Sequence, residues 1–167
     1  VHMDASGKVY DEWMNRVNEV VDYVLDAGLY CIINIHHDTG ADEELAWLVA
    51  SPQGYSTARD RYESLWKQIA ERFRDYDQRL LFESYNEMLD DGRSWCFASM
   101  SLGYDAEAAA GAYKAINDYA QSFVDVVRAT GGNNSVRNLV VNTYGACNGA
   151  GDWNPHLLDP LKNMRMP

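Results

Sequence analysis

Three short runs of apolar, β-branched and aromatic residues, "LYCIINI" (Leu29–Ile35), "LLFESY" (Leu80–Tyr85) and "NLVVNTY" (Asn138–Tyr144), alternate with three segments of helical period. This alternation limits the possible folds more than any other feature of the chain. The runs lack clean in-out alternation, which suits strands covered on both faces. Connections of helical length between them imply parallel pairing, because a crossover must carry the chain back to the same edge. The class is α/β.

The helical segments are marked by single apolar stripes. These are Trp13, Val17, Val20, Val21 and Val24 in the first, Tyr62, Leu65, Trp66, Ile69 and Phe73 in the second, and Tyr113, Ile116, Ala120, Phe123 and Val127 in the third. Gly28 and the Gly131-Gly132 pair stand where glycine ends a helix, and Asp105 stands where a carboxylate caps one. On this pattern Trp13 and Trp66 are core residues.

Loop lengths separate the α/β architectures. Segments entering a strand are short, whereas those leaving one, His36 to Tyr55 and Met88 to Tyr104, are long. A (β/α) barrel builds its active site from the loops at the carboxyl ends of its strands and uses the others only to close turns. A doubly wound sheet shares some of this asymmetry, but neither a GxGxxG nor a Walker loop follows any run. A closed barrel needs eight strands. The chain offers three, with a possible remnant of an earlier one at Val1 to Asp4. The expectation is a single incomplete domain over residues 1–167, a partial barrel whose remainder lies on another segment or chain.

Polar residues gather at one end of the runs. His36, His37 and Asp38 follow the first, Asn86 and Glu87 end the second, and Tyr144 closes the third. Parallel strands would bring these tips to one rim. Trp47, Trp95 and Trp153 fall in the same post-strand segments. Loop indoles either pack the loops onto the rim or offer flat faces on which sugar rings stack.

Charge and composition narrow the partners. A net charge of −11 repels phosphate backbones and anionic headgroups, so neither nucleic acid nor a membrane surface is expected. The apolar runs fall far short of the roughly 20 residues a membrane span requires, and no basic-then-apolar leader is expected. The three cysteines form no CxxC pair and read as structural thiols, and no cofactor is indicated.

Taken together, "IINIHHD" (Ile32–Asp38), "LLFESYNE" (Leu80–Glu87) and "RNLVVNTYGA" (Arg137–Ala146) resemble the third, fourth and fifth strands of glycoside hydrolase family five, in its endoglucanase and xyloglucanase branch. The resemblance implies part of a (β/α)8 TIM barrel and a retaining endo-β-1,4-glucanase acting on a β-linked polysaccharide in an extracellular or periplasmic setting. It implies that Glu87 is the general acid/base and that Asn86 binds the sugar 2-hydroxyl. His36 would be the active-site histidine after the third strand, with His37 in support. Tyr144, Trp47, Trp95 and Trp153 complete the expected substrate-binding set.

The chemistry requires an acid to protonate the leaving oxygen and a second carboxylate, about 5–5.5 Å away in retaining enzymes, to attack the anomeric carbon. Such an acid stays protonated through burial and a negative neighbour. Glu83 shares the parity of Glu87 but lies roughly 13 Å deeper, at about 3.3 Å per residue. Asp38, Glu43 and Glu44 lie on the correct rim, but the resemblance puts the nucleophile on a later strand, beyond Pro167. The chain alone is then expected to be inactive. Adjacent side chains on a regular strand point apart, so Asn86 and Glu87 can serve one site only if the strand loses its regularity there. The alternatives are a β-mannanase, a metal-dependent barrel hydrolase using His36, His37, Asp38 and Glu87, and a non-catalytic glycan-binding fragment.

Overall fold

The three apolar stripes become helices α1 (Asp11–Asp26), α2 (Pro52–Arg72) and α3 (Ala106–Ala129), and local chemistry accounts for their ends. The computed structural model describes residues 2–36, 38–39, 46–91, 94, 103 and 105–146. The Asp105 carboxylate accepts the Glu107 and Ala108 amides at 2.9 and 3.0 Å, capping α3 as expected. Pro52 opens α2, where a missing N–H costs nothing. After α1, Gly28 takes φ +78°, and the Leu29 amide turns back to the Val24 carbonyl at 3.2 Å.

The α1 stripe is only partly core. Val21 and Leu25 are buried, but Trp13 is 39% exposed, against its assignment to the interior. Its indole lies flat on the His2 imidazole, with centroids 3.6 Å apart and planes 7° from parallel, so an exposed ring covers it instead of the packed interior. Trp66 is fully buried, as the pattern predicts.

The strands β1 (Cys31–Asn34), β2 (Leu80–Glu83) and β3 (Leu139–Val140) form one sheet in the order β1-β2-β3. β2 and β3 are parallel, with Phe82 opposite Leu139 and Glu83 opposite Val140. β1 and β2 also ascend together. The Cys31 amide donates to the Arg79 carbonyl at 2.9 Å, and the Asn86 amide donates to the Ile35 carbonyl at 2.8 Å. Each strand neighbours its successor, as in a barrel, without the reversal of order that marks a doubly wound sheet.

The strands are shorter than the runs that contain them. β1 is also less covered than expected, with Ile32 58% exposed. Met3 forms an isolated antiparallel bridge with Val9 around a turn held by the Asp4 carboxylate, so the stretch read as a strand remnant is a small hairpin. Among the cysteines, Cys31 is half-buried in β1, and burial pushes its thiol above the usual range. Cys96 and Cys147 lie outside the described residues.

The chain falls into two compact units. The first comprises Val1–Ile33, Asp60–Glu83 and Ser122–Val140, and the second Asn34–Arg59, Ser84–Gln121 and Val141–Pro167. In the first unit, Trp66 packs against Phe82 and Phe123 at centroid distances of 5.6 and 4.5 Å. Beside this cluster stands Arg137, only 2% exposed. Its Nε donates to the Asn134 side-chain oxygen at 2.7 Å, Nη1 to the carbonyls of Asp77 and Leu80, and Nη2 to those of Phe73 and Tyr76. All five guanidinium donors are thereby used. The guanidinium carbon lies 4.8 Å from the centre of the Phe82 ring, a cation–π contact. Asn134 is itself buried and donates to the Ala70 carbonyl at 2.7 Å. One planar cation therefore ties together the end of α2, the start of β2 and the entry to β3.

Lysine has three donors on a single nitrogen and cannot reproduce this fork. Arg137→Lys is expected to destabilise the protein by about 2 kcal/mol or more, and Arg137→Met by more than about 3 kcal/mol, because buried carbonyls lose their donors. The measurement is the urea midpoint at unchanged slope.

Candidate active site

The site belongs to the second unit, whose interior is rich in tyrosine. Tyr119 meets Tyr55 edge-on at 4.9 Å and Tyr85 at 6.4 Å. Tyr85 is fully buried, and its hydroxyl donates to the Asn142 carbonyl at 3.0 Å, with the Ile116 carbonyl 3.4 Å away. The Asn142 side-chain amide returns a hydrogen bond to the Tyr85 carbonyl. This reciprocal pair joins the segments that follow β2 and β3. Burial pushes the Tyr85 and Tyr119 phenols well above the usual range, so both remain neutral.

At the tip of β2 the pairing with β1 shifts by one residue. A parallel register that pairs the Cys31 amide with the Arg79 carbonyl would pair the Ile35 carbonyl with the amide of Tyr85. The donor observed is Asn86, one residue later. An extra residue has entered the strand, and the backbone confirms the irregularity. β2 ends at Glu83, and Glu87 adopts φ +38°, in the left-handed region that non-glycine residues seldom occupy. The break in regularity required for Asn86 and Glu87 to share a site is therefore present.

Because Ile35 and Asn86 are hydrogen-bonded, His36 and Glu87 follow at adjacent strand ends. Both are exposed, and Asn86 is half-buried. The burial that a protonated acid needs is not supplied to Glu87 by the described residues. Thr39, buried after β1, donates its hydroxyl to the Asn86 carbonyl and lies 3.4 Å from the His36 carbonyl. Asp38 receives the Trp47 indole N–H on its carboxylate and the Trp47 and Leu48 amides on its carbonyl, which fixes a half-buried indole on this rim. The Ala50 amide donates to the Leu89 carbonyl at 2.9 Å and the Gly145 amide to the Met88 carbonyl at 3.0 Å, so all three post-strand segments meet around Glu87.

Tyr144 departs from expectation. It is fully buried, edge-on to Tyr113 at 5.8 Å, and its hydroxyl donates to the Asp90 carboxylate. With no accessible face it lines no ligand surface among the described residues, and its hydroxyl is taken up by Asp90. Burial, with the Asp90 hydrogen bond, pushes its phenol far above the usual range. Asp90 also receives the Ser94 hydroxyl, and the Ser94 carbonyl accepts the Tyr113 hydroxyl at 3.1 Å. His37, Trp95 and Trp153 lie outside the described residues. Among the described residues, no three His, Cys, Asp or Glu side chains are grouped to hold a metal ion.

Sequence reasoning missed Thr39, Asp90 and the Tyr85–Asn142 pair. Thr39 and Asp90 sit among loop residues of ordinary turn composition, and Tyr85 reads only as strand. Their partners are 47 to 57 residues away in the chain, so no local pattern marks them.

Comparison with known proteins supplies the context for this geometry. A model of the cellulase family, glycosyl hydrolase family 5, matches residues 1–165. The xyloglucan-specific endo-β-1,4-glucanase BoGH5A of Bacteroides ovatus is 42% identical over 141 residues, covering 84% of this chain and 25% of that protein. Endoglucanase B of Neocallimastix patriciarum is 39% identical over 143 residues, covering 84% of this chain and 26% of that protein. Among solved structures, a GH5-4 broad-specificity endoglucanase from an uncultured bacterium superposes with a TM-score of 0.88 at 58% identity, covering 99% of this chain and 46% of that one. PbGH5A from Prevotella bryantii, solved with a xyloglucan tetradecasaccharide, superposes at 0.80 with 47% identity, covering 99% of this chain and 43% of that one. The chain thus spans about a quarter of these two sequence relatives and under half of the two solved chains. Its sheet and helices are part of a (β/α)8 barrel. The chain belongs to the cellulase family, glycosyl hydrolase family 5.

Proposed function

We propose that the polypeptide carrying this chain is a retaining endo-β-1,4-glucanase that cleaves β-glucan or xyloglucan by double displacement, with Glu87 as its general acid/base. The observation that carries the reading is the Ile35–Asn86 hydrogen bond, by which His36 and Glu87 follow each other at neighbouring strand ends. The names of the relatives, endoglucanases and a xyloglucan-specific endoglucanase, support the substrate class. A polymer of this kind is met outside the cytoplasm, which makes the setting extracellular or periplasmic.

In this mechanism Glu87 hands its proton to the departing glycosidic oxygen while a carboxylate on a later barrel strand, beyond this chain, attacks the anomeric carbon. Glu87 then takes a proton from the water that releases the sugar. Asn86 hydrogen-bonds the 2-hydroxyl, a contact that strengthens as the oxocarbenium-like transition state forms. Trp47, held edgewise by Asp38, offers an indole face to a sugar ring, and Trp95 and Trp153 are assigned the same task. His36 lines the subsite beside Glu87, with His37 in support. The rest of the barrel and the bound glycan provide the cover that Glu87 lacks here.

In the full-length enzyme, Glu87→Ala should lower kcat on β-glucan by about 10²–10⁴-fold, the usual worth of a positioned acid. Azide, which needs no proton removed to attack, should restore turnover of an activated aryl cellobioside and yield the β-glycosyl azide. A variant with wild-type rates, or first-formed products of inverted anomeric configuration by NMR, would refute the assignment. A polypeptide ending at Pro167 should show no measurable β-glucanase activity, since one carboxylate cannot complete the displacement.

A further inference from the structure

The left-handed φ of +38° at Glu87 has an identifiable cause in the residues around it. This torsion is rotation about the bond joining the Glu87 Cα to the peptide plane it shares with Asn86, and that plane carries the Asn86 carbonyl oxygen. Whatever holds the oxygen therefore holds the plane against which the Glu87 side chain is aimed. Among the described residues, two hydrogen bonds act on the Asn86 backbone. Its amide donates to the Ile35 carbonyl at 2.8 Å, and its carbonyl accepts the Thr39 hydroxyl. On the far side of Glu87, the Met88 and Leu89 carbonyls accept the Gly145 and Ala50 amides at 3.0 and 2.9 Å. Three of these four bonds are backbone to backbone and form whatever the side chains are. Only the Thr39 bond depends on residue identity, and Thr39 is 8% exposed, so water does not readily replace it.

We infer that Thr39 is a positioning residue for Glu87: its hydroxyl fixes the Asn86–Glu87 peptide, sustains the left-handed turn and so sets where the carboxyl group stands. The inference rests on the reading of Glu87 as the acid/base. A buried threonine that merely satisfied a carbonyl would affect stability. One that aims the acid would affect proton delivery in particular.

The test uses Thr39→Val, which keeps the shape and removes the donor, and Thr39→Ser, which restores it, with Glu87→Gln as reference, all in the full-length enzyme. The readout is kcat/KM on β-glucan, whose leaving group needs a proton, and on dinitrophenyl β-cellobioside, whose leaving group does not. For Thr39→Val the expected loss is about 10- to 100-fold on β-glucan, the scale of a small misplacement at a reacting group, against less than about threefold on the aryl substrate. Thr39→Ser should recover most of it. A partly unfolded preparation lowers both substrates equally, so an equal loss overturns the inference, as does failure of serine to rescue. If Glu87→Gln is impaired on β-glucan while Thr39→Val is not, the inference alone is wrong. If Glu87→Gln retains full activity on β-glucan, the acid/base reading fails and the inference falls with it.

Discussion

Everything at the candidate site follows from the parallel pairing of β1 with β2 and from the single residue by which that pairing slips. Parallel strands carry their carboxyl ends to one rim, which is why residues some 50 positions apart, His36 and Glu87, become neighbours. Without the slip, the strand would alternate to its end and send Asn86 and Glu87 to opposite faces. The extra residue breaks that alternation, and the positive φ at Glu87 turns the chain once more. Irregularity here is a means of re-aiming side chains, as strand bulges commonly are near active sites.

A turn of this kind needs support, because a non-glycine residue at positive φ is disfavoured on its own. The support is distributed. The segments after β1 and β3 donate to the stretch around Glu87, through Thr39, Ala50 and Gly145, and the Tyr85–Asn142 exchange locks the chain just before it. The buried Tyr144 hydroxyl bonds the Asp90 carboxylate, tying a large rigid side chain after β3 to the segment after β2.

In the first unit Arg137 serves a comparable purpose by a different device. A buried cation without a carboxylate among its hydrogen-bond acceptors would be costly, but five acceptors around a planar fork offset the desolvation. Burial lowers its pKa, yet guanidinium basicity is high enough that the charge persists. The result is a hub that joins helix end, strand start and strand entry through backbone carbonyls, a role that apolar packing cannot fill.

Much of the fold was written in local pattern. The stripes of α2 and α3, the Asp105 cap and the Gly28 terminus are consequences of period and of residue chemistry acting within a few positions. Parallel pairing likewise accounts for the gathering of His36, Asn86 and Glu87 at strand ends, although only the slip lets Asn86 and Glu87 share a face. Tertiary structure decided what depends on partners distant in the chain. It left Trp13 stacked on His2 at the surface although it belongs to an apolar stripe, and it buried Tyr144 although it ends the third apolar run. Thr39, ordinary among loop residues, was set against the Asn86 carbonyl. A stripe or a strand end states which side chains can share a face. Only the packed chain determines whether that face meets another, because burial and hydrogen bonding are properties of pairs brought together by the fold.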